Sequence, residues 1–484
     1  MNMEPEQIPK ELFQPAGAQL QQPVLPRSVG GRRAAAWGRF RKNGSSVVAA
    51  VVLALLLAFA LIVPMVMPYG VEFRDGYYKN ALPKWEALAF LGWDGCQELT
   101  VNQATYDYYM AMGAVKQVKE KNVNAATGRY TYRVLVDAYA KVGCVYLDLT
   151  EAEYADLRDY ERESGCQVCY PIPRLYQTAF LAVPGSANLW YQLEDESAAS
   201  TGASAHHDAD GEPIFVEDYW VDGDGQPVYA VKNQTGVRCR VQYAAYYQYV
   251  HGFAPRYLFG TNQYGQDILV CLAYGARLSF LLALSVSLIN FCIGIVYGAI
   301  GGFYGGKTDL ILGRIADILA SVPFIVVATL FQLHLAKRVG AVAVLLLSFV
   351  LTGWIGIAAR VRTQFYRFKG AEYVLAARTL GAGSGRLIFR HILPNAMGTV
   401  ITGTVLLIPG VIFSESMLSY LGIVNLESAG MTSIGTMLAA GQGYLGSFPH
   451  ILLFPALFLA LLQIAFNLFG NGLREALDPK VQGK

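Results

Sequence analysis

Long apolar runs alternate with polar stretches along this chain. Six of the runs contain few charges or none, and they cover residues 46–67, 278–302, 310–334, 339–358, 397–421 and 448–470. An apolar run of about 20 residues is long enough to cross a hydrocarbon core of about 30 Å as a helix. The pattern therefore predicts an all-α polytopic membrane core of six transmembrane helices.

The first apolar run, Ser46–Met67, sets the orientation that we predict. It is longer than the apolar segment of a secretory signal peptide, so we interpret it as an uncleaved transmembrane helix 1. The basic residues before it favour a cytoplasmic N-terminal tail, residues 1–45. Alternating six helices from there puts residues 71–276 outside and the C-terminal tail, residues 480–484, inside.

The loops between the later runs bear on this orientation. Basic residues concentrate in residues 359–396, which lie inside on this count and so agree with the positive-inside rule. Lys337 and Arg338 lie on the outer side and run against the rule. Because the longer loop carries the larger basic excess, we keep the orientation.

The polar stretch over residues 71–257 is predicted to fold as an inserted α+β domain outside the cytoplasm. It is long enough to bury a core of its own. Thr150 with Glu153 three residues later forms a capping-box pattern, which predicts a helix over Thr150–Ser164. The Asp222-Gly-Asp-Gly sequence is typical of a hairpin turn. Alternating β-branched and aromatic residues predict strands over residues 129–136, 213–220, 227–232 and 237–243.

The composition agrees with a membrane protein and excludes one class of partner. Of the 484 residues, 54% are hydrophobic and 15% are charged, whereas soluble proteins carry about 25% charged residues. The net charge is only +2, and the basic residues lie beside the apolar runs rather than together in one soluble segment. We therefore expect the lipid bilayer as the surroundings and no nucleic-acid partner.

Five of the seven cysteines lie in the polar stretch: Cys96, Cys144, Cys166, Cys169 and Cys239. Disulfides are allowed there if the stretch is outside the cytoplasm. The spacing Cys166-Gln-Val-Cys169 also fits a redox or metal site, but no second C-x-x-C completes a four-cysteine zinc site. We expect no metal and one or two disulfides that join this pair to Cys144, Cys96 or Cys239. Since five is odd, at least one thiol stays free or pairs with another chain.

The most informative polar interruption is Gly370–Asn395, with the sequence GAEYVLAARTLGAGSGRLIFRHILPN. Strong helix formers predict a helix over Glu372–Leu380. Three glycines then break it, a helix resumes over Arg386–Leu393, and Pro394 is expected to reset the chain. Such a helix–turn–helix at the cytoplasmic surface is suited to a groove on another protein.

This segment resembles the EAA loop of ABC importer permeases, in the form found in oligopeptide, dipeptide and nickel permeases. That form reads E-Y-V-x-A-A-R-x-x-G and then R-H-x-L-P-N. The resemblance implies that the loop, residues 364–395, couples the membrane core to ATPase subunits. The positions that would carry this role are Glu372, Tyr373, Ala376, Ala377, Arg378, Gly381, His391 and Pro394.

Other motifs resemble the C-type permease of such a pair: Gly275-Ala-Arg-Leu-Ser279, Glu415–Gly422 and Asn467–Pro479. The resemblance covers residues 258–479, the predicted permease transmembrane domain with helices 2 to 6, and implies the type I ABC importer fold. One pattern departs from the family. G-T-D-x-x-G-R-D appears with neutral Asn262 and Gln266 at two charged positions, so an ion pair that these positions make in relatives is not expected to carry over to this chain.

The resemblance implies a plasma-membrane subunit that forms half of the translocation path for oligopeptides or dipeptides. The implied partners are a second homologous permease, two ABC ATPase subunits and an extracytoplasmic substrate-binding protein. The chain has no G-x-x-x-x-G-K-[ST] P-loop. We therefore expect no enzyme, no catalytic residue and no cofactor in this chain, with ATP and Mg²⁺ held by the ATPase subunits. A membrane receptor or sensor with an extracellular ligand-binding domain is the alternative.

Two carboxylates, Asp317 and Glu415, fall within apolar runs. A carboxylate in a membrane is costly and suggests a functional site. A role in helix packing is the simpler interpretation and a gate or path-lining role is the other. For Asp317, the nearby Arg314 is a natural helical partner, which favours packing.

Overall fold

A computed structural model describes the chain over residues 37–102, 105–106, 109–110, 113–123, 130–172, 189–191, 209, 215–217, 219–424, 426 and 431–477. Most of the predicted N-terminal tail and all of the predicted C-terminal tail lie outside these residues.

Five helices in the described residues are long and apolar enough to cross a membrane, and a bent pair makes a sixth. We number them as spans in chain order. They are span 1 (Gly44–Val66), span 2 (Ile268–Tyr304), span 3 (Gly306–Ala320 with Phe324–Val339), span 4 (Ala341–Phe368), span 5 (Ser384–Tyr420) and span 6 (His450–Leu477). The helical membrane core predicted from the apolar runs is therefore present.

Span 3 differs from the single run predicted over 310–334. Its two helices, Gly306–Ala320 and Phe324–Val339, meet at an angle of 70°. Pro323 lies at the break and precedes the second helix. Proline has no N–H to donate and disfavours a helical conformation in the residue before it, so the helix cannot run straight through.

Span 2 begins about ten residues before the predicted run. Asp267 caps the helix, since its side chain accepts a hydrogen bond from the backbone N–H of Leu269. The hydropathy pattern marks the lipid-embedded part of the helix and misses this capped extension. In the first turns of span 2, Ile268, Cys271 and Leu272 are buried in a cluster with residues of spans 1 and 6.

Spans 2 and 4 pack closely through a row of glycines at every fourth residue of span 2. A Cβ atom on Gly294 would lie 2.7 Å from Ile357, and one on Gly302 would lie 2.6 Å from Phe365. Between them, Gly298 faces the carbonyl of Ala358. Small residues let membrane helices approach to backbone contact, so this row holds span 4, and the loop after it, against span 2.

The polar stretch contains short sheets and helices. Its described strands are β1 (Cys96–Asn102), β2 (Val115–Val123), β3 (Tyr130–Asp137), β4 (Cys144–Leu149), β5 (Cys169–Tyr170), β6 (Leu189–Tyr191), β7 (Phe215–Glu217), β8 (Ala230–Lys232) and β9 (Val237–Gln242). One sheet has the strand order β1-β3-β2, a second has the order β4-β9-β5 with β8 also paired to β9, and β6 pairs with β7. The described α-helices include Glu151–Ser164 and Tyr243–His251.

Several local predictions for this stretch are confirmed. Thr150 and Glu153 form the capping box of the Glu151–Ser164 helix. The turn after Asp222 closes with hydrogen bonds between Asp222 and Gln226. The predicted strands are present. β3 has the predicted length and lies one residue later, β8 and β9 are shorter than predicted, and the strand over 213–220 is limited to β7 within the described residues.

Two segments that we call the stem, residues 69–83 and 252–267, join the polar stretch to spans 1 and 2. Thr261 and Ala81 exchange two hydrogen bonds, at 2.8 and 2.9 Å. The Thr261 hydroxyl also donates to the carbonyl of Tyr78. These bonds fasten the two halves of the stem to each other.

A buried aromatic cluster joins the stem to the rest of the polar stretch and contains Tyr78, Tyr139, Tyr243, Tyr247 and Tyr257. Asp75 is 2% exposed within it and accepts hydrogen bonds from the Tyr243 hydroxyl at 2.8 Å and from two backbone N–H groups. On the membrane side, Phe454 of span 6 stacks on Phe259 and meets Trp93 edge-on. The polar stretch is therefore packed directly onto the ends of spans 2 and 6.

Candidate functional site: the loop between spans 4 and 5

The loop after span 4 folds into two helical arms. The first arm is the helix Glu372–Thr379, which confirms the predicted helix. Gly381 follows with φ +84°, a left-handed conformation that glycine adopts without strain. Its N–H donates to the Arg378 carbonyl at 3.0 Å. The turn sends the chain back into the second arm, which starts at Ser384.

The second arm corrects one prediction. Pro394 does not reset the chain, because the helix continues through it into Leu393–Val405. Residues Leu387–Ile392 widen into a π-helix, in which the Leu393 N–H bonds to the carbonyl of Ile388. A wider turn removes the clash between the proline ring and the carbonyl four residues earlier. The proline is thus built into span 5.

The two arms hold each other through a small apolar core and a polar contact. Val374 of the first arm is fully buried beside Leu387 and Ile392 of the second. The Asn395 amide donates to the Tyr373 hydroxyl at 3.2 Å and to the His391 carbonyl at 2.8 Å. The arms therefore form one rigid unit.

Three large apolar side chains of this unit are exposed in the single chain. The exposed fraction is 41% for Tyr373, 88% for Leu380 and 61% for Phe389. Glu372, Ala376 and Arg378 are exposed on the first arm, Pro394 is exposed on the second, and Ala377 and His391 are half-buried. Apolar groups this exposed at a turn between two membrane helices mark a surface suited to a protein partner.

A charged contact beneath the loop was missed by the sequence reasoning. Arg362 of span 4 forms an ion pair with Asp309 of span 3 at 2.9 Å, and the Tyr366 hydroxyl donates to the same carboxylate at 2.7 Å. Lys369 donates to the carbonyl of Gly302. These contacts join the helix that leads into the loop to its neighbours. Charge complementarity between segments distant in sequence gave no local signal.

Glu415 of span 5 lies in a polar cluster inside the helix bundle. It is 1% exposed, and its carboxylate accepts hydrogen bonds from Ser279 of span 2 at 3.0 Å and from Ser419 at 3.1 Å. Asp317 is instead exposed on span 3, with Arg314 at 3.5 Å. These contacts fit helix packing for Glu415 and a local pair for Asp317. A gating role for either carboxylate stays a prediction.

The five cysteines of the polar stretch carry free thiols in the structure. Cys169 and Cys239 are buried, whereas Cys96, Cys144 and Cys166 are partly exposed. The predicted disulfides thus remain predictions.

Asn262 and Gln266, the two neutral residues at positions that are charged in the family pattern, contact each other in the structure. The two side chains, which cannot form an ion pair, form an amide–amide hydrogen bond at 2.9 Å. They line a small polar pocket with Gln263, Thr432 and Thr436, next to the start of span 2.

A bundle of apolar spans with a two-armed loop between spans 4 and 5 is the architecture of a membrane transport permease. Residues 277–483 match the family described as binding-protein-dependent transport system inner membrane component. Residues 32–83 match the N-terminal TM domain of oligopeptide transport permease C. The two matches flank residues 84–276, which contain nearly all of the polar stretch. The chain is thus a multi-pass inner-membrane component of such a transport system.

Curated relatives narrow the family. The chain is similar to the oligopeptide transport system permease protein OppC of Bacillus subtilis, with 42% identity over 46% of this chain and 72% of the relative. It is similar to the dipeptide transport system permease protein DppC of the same species, with 40% identity over 46% of this chain and 69% of the relative. It is also similar to OppC of Haemophilus influenzae, with 40% identity over 46% of this chain and 70% of the relative. The chain belongs to the oligopeptide and dipeptide permease family of ABC importers.

Among solved structures, an inward-facing MetNI methionine ABC transporter matches 43% of this chain and 96% of that chain, with 16% identity and a TM-score of 0.34. The family membership confirms the resemblance drawn from the loop motif, and it gives no support to the receptor alternative. Permeases of this family work with ATPase and substrate-binding partners.

Proposed function

We propose that this chain forms half of the translocation path of an ATP-driven importer of oligopeptides or dipeptides. A second, homologous permease supplies the other half. Two ATPase subunits bind ATP and Mg²⁺ and drive the cycle, and an extracytoplasmic binding protein delivers the peptide. The observation that carries the proposal is the two-armed loop with its exposed apolar side chains.

The loop acts as the coupling element in this proposal. An ATPase subunit covers Tyr373 and Leu380, while Glu372 and Arg378 provide polar contacts at the rim. Movement of the ATPase then shifts both arms together, because the contact between Tyr373 and Asn395 ties one arm to the other. The second arm continues into span 5 without a break at Pro394. Motion of the loop therefore passes directly into a helix of the translocation path.

The orientation belongs to the same proposal. Residues 1–45 and 480–484 lie in the cytoplasm with the coupling loop, and residues 71–276 lie outside. The basic residues of the loop support this arrangement under the positive-inside rule. On this topology, residues 258–479 form the permease domain and residues 71–257 form the inserted domain.

We assign the inserted domain to docking of the binding protein or to covering the outer end of the path. Its support is the stem, whose two halves are joined through Thr261 and Ala81 and which packs on span 6 through Phe259 and Phe454. A movement of this domain would therefore reach the outer ends of the spans that it contacts. Tyrosine, which is frequent in protein interfaces, is abundant in the chain, with 30 residues.

A pull-down tests the assembly. The full chain carries a C-terminal tag and is extracted in mild detergent, and the bound proteins are identified by mass spectrometry. We expect a second permease, two P-loop ATPases and the binding protein, and ATP-dependent uptake of labelled peptides after reconstitution into liposomes. Recovery of a signalling protein without an ATPase would overturn the proposal and restore the receptor alternative.

A further inference from the structure

The second sheet of the polar stretch places two cysteines on one buried face. Side chains alternate between the two faces of a strand. In β9, Val237, Cys239 and Val241 therefore share a face, and all three are buried. Strand β5 runs antiparallel to β9, with Cys169 opposite Val241. Cys169 thus lies on the same face as Cys239, which is the diagonal neighbour two residues before Val241 in β9.

The two cysteines share one buried core. Neither cysteine has exposed surface, and both pack in one apolar cluster with Leu157 and Val168. The proximity of the two thiols raises the pKa of Cys169 and lowers that of Cys239.

Neighbouring groups hold this pair in place. The carboxylate of Glu161, on the helix that covers the sheet, accepts hydrogen bonds from the backbone N–H groups of Val168 and Cys169 at 2.6 and 2.5 Å. Cys239 donates its own S–H to the Leu147 carbonyl of β4 at 3.8 Å. These hydrogen bonds keep β5 and β9 next to the covering helix and to β4.

The register separates this pair from the other cysteines of the polar stretch. Cys144 lies opposite Gln242 in β9, which puts it on the other face from Cys239. Cys96 belongs to β1 in the first sheet. Cys166 precedes β5 and is partly exposed. Among the five, Cys169 and Cys239 are therefore the two that the fold brings together on one face.

We propose that Cys169 and Cys239 form a disulfide in the mature protein. The proposal rests on the outside location of this domain, where disulfides persist. The two thiols lose two protons and two electrons, and a sulfur–sulfur bond forms. A disulfide of an extracytoplasmic thiol oxidoreductase accepts the electrons and protons and is released as a dithiol. Exchange occurs during folding, before the helix covers the sheet, because buried thiols are unreactive.

The geometry requires one adjustment. Diagonal neighbours in a sheet are farther apart than directly opposed residues, and a disulfide needs its two Cα atoms within about 7 Å. Strand β5 has only two residues, so closing the bond disturbs few hydrogen bonds of the sheet. The bond then ties β5 to β9 and closes the loop of chain between them.

The test starts from the full chain in cell membranes, treated with N-ethylmaleimide at lysis and digested without reduction. We expect a linked peptide pair containing Cys169 and Cys239. Because Cys166 shares a peptide with Cys169, the linkage must persist in Cys166→Ser and vanish in Cys169→Ser. A reductant should lower the melting temperature of the wild type but not that of Cys169→Ser. Cys144→Ser is the matched control and should respond as the wild type does.

A separate readout checks the orientation on which the proposal rests. A cysteine introduced at the exposed turn residue Asp224 is treated in intact cells with a membrane-impermeant maleimide. Labelling there together with free thiols at Cys169 and Cys239 would overturn the disulfide and leave the topology standing. Free thiols without labelling would overturn both.

Discussion

The side-chain amide of Asn262 donates a hydrogen bond to the side-chain carbonyl of Gln266 at 2.9 Å. The side-chain carbonyl of Asn262 also accepts hydrogen bonds from the backbone N–H groups of Tyr264 and Gln266, and these bonds close the turn before span 2. The Gln266 amide donates to the Val71 carbonyl in the other half of the stem. A neutral pair thus occupies positions that are charged in the family pattern, and it retains a direct contact between them.

This relationship predicts strong coupling between the two positions. Asn262→Asp alone removes the donor to Gln266, and Gln266→Arg alone removes the acceptor, so each should destabilise the protein by about 1–2 kcal/mol. The double variant restores a family-like ion pair and should lose less than the sum of the singles, by about 1 kcal/mol. Thermal melting of the purified variants measures this. Additive losses would show that the contact does not stabilise the stem.

The carboxylate of Asp75 predicts a pH dependence of stability. Burial raises the pKa of Asp75 above its usual value of 3.8, and the hydrogen bonds from Tyr243 and the backbone oppose that shift. A carboxyl whose pKa is raised in the folded state stabilises the fold while it is protonated. That stability is lost as the pH rises from about 4 through the raised pKa.

Asp75→Asn is the matched variant for this prediction. An asparagine carbonyl can accept the same hydrogen bonds from Tyr243, Tyr77 and Tyr78, which all reach one oxygen. As the pH rises, the melting temperature of the wild type should therefore fall relative to that of Asp75→Asn. The difference between the two proteins reports Asp75 together with the effect of its charge on nearby His251. Parallel curves would contradict the assignment.

Local signals predicted the membrane core well and the polar stretch in part. Long apolar runs identified the spans because lipid contact requires them along their whole length. The capping box at Thr150 and the turn at Gly381 were also readable, since each depends on a few adjacent residues. Strand β2 was missed because its sequence, VKQVKEKNV, is largely exposed and lacks a clear apolar alternation.

The remaining differences arise from contacts between distant segments. The helix through Pro394 depends on the π-turn before it, whereas the break at Pro323 has no such accommodation. The ion pair between Arg362 and Asp309 and the cluster around Asp75 join residues far apart in the chain. No single window of sequence contains both partners, so periodicity cannot reveal them.

Glu415 yields a prediction that separates packing from path lining. Glu415→Gln retains polar groups for Ser279 and Ser419 and should preserve expression, melting temperature and transport. Glu415→Leu leaves both hydroxyls unpaired in the bundle and should cost about 1–3 kcal/mol for each, seen as a lower yield and melting temperature. Reduced peptide uptake by Glu415→Gln at an unchanged melting temperature would instead assign the carboxylate to the path.

The conformation of Gly381 predicts which substitutions disconnect ATP hydrolysis from transport. Proline fixes φ near −65° and removes the N–H that donates to Arg378, so Gly381→Pro should disrupt the turn between the two arms. Asparagine tolerates the left-handed conformation, and no atom lies within 4 Å of a Cβ at this position. Gly381→Asn is therefore the matched control and should work normally.

Reconstituted importers distinguish these variants through two measurements, peptide uptake and the ATPase rate stimulated by loaded binding protein. We expect Gly381→Pro to insert into the membrane and lose both the stimulation and the uptake. Glu372 and Arg378 are exposed, so changing both to Ala should leave the melting temperature unchanged and still weaken coupling. Both designs alter the surface that we assign to the ATPase. Gly381→Pro changes the turn between the arms, and the double alanine variant removes two exposed side chains. Normal coupling in both would mean that the ATPase is driven through another surface.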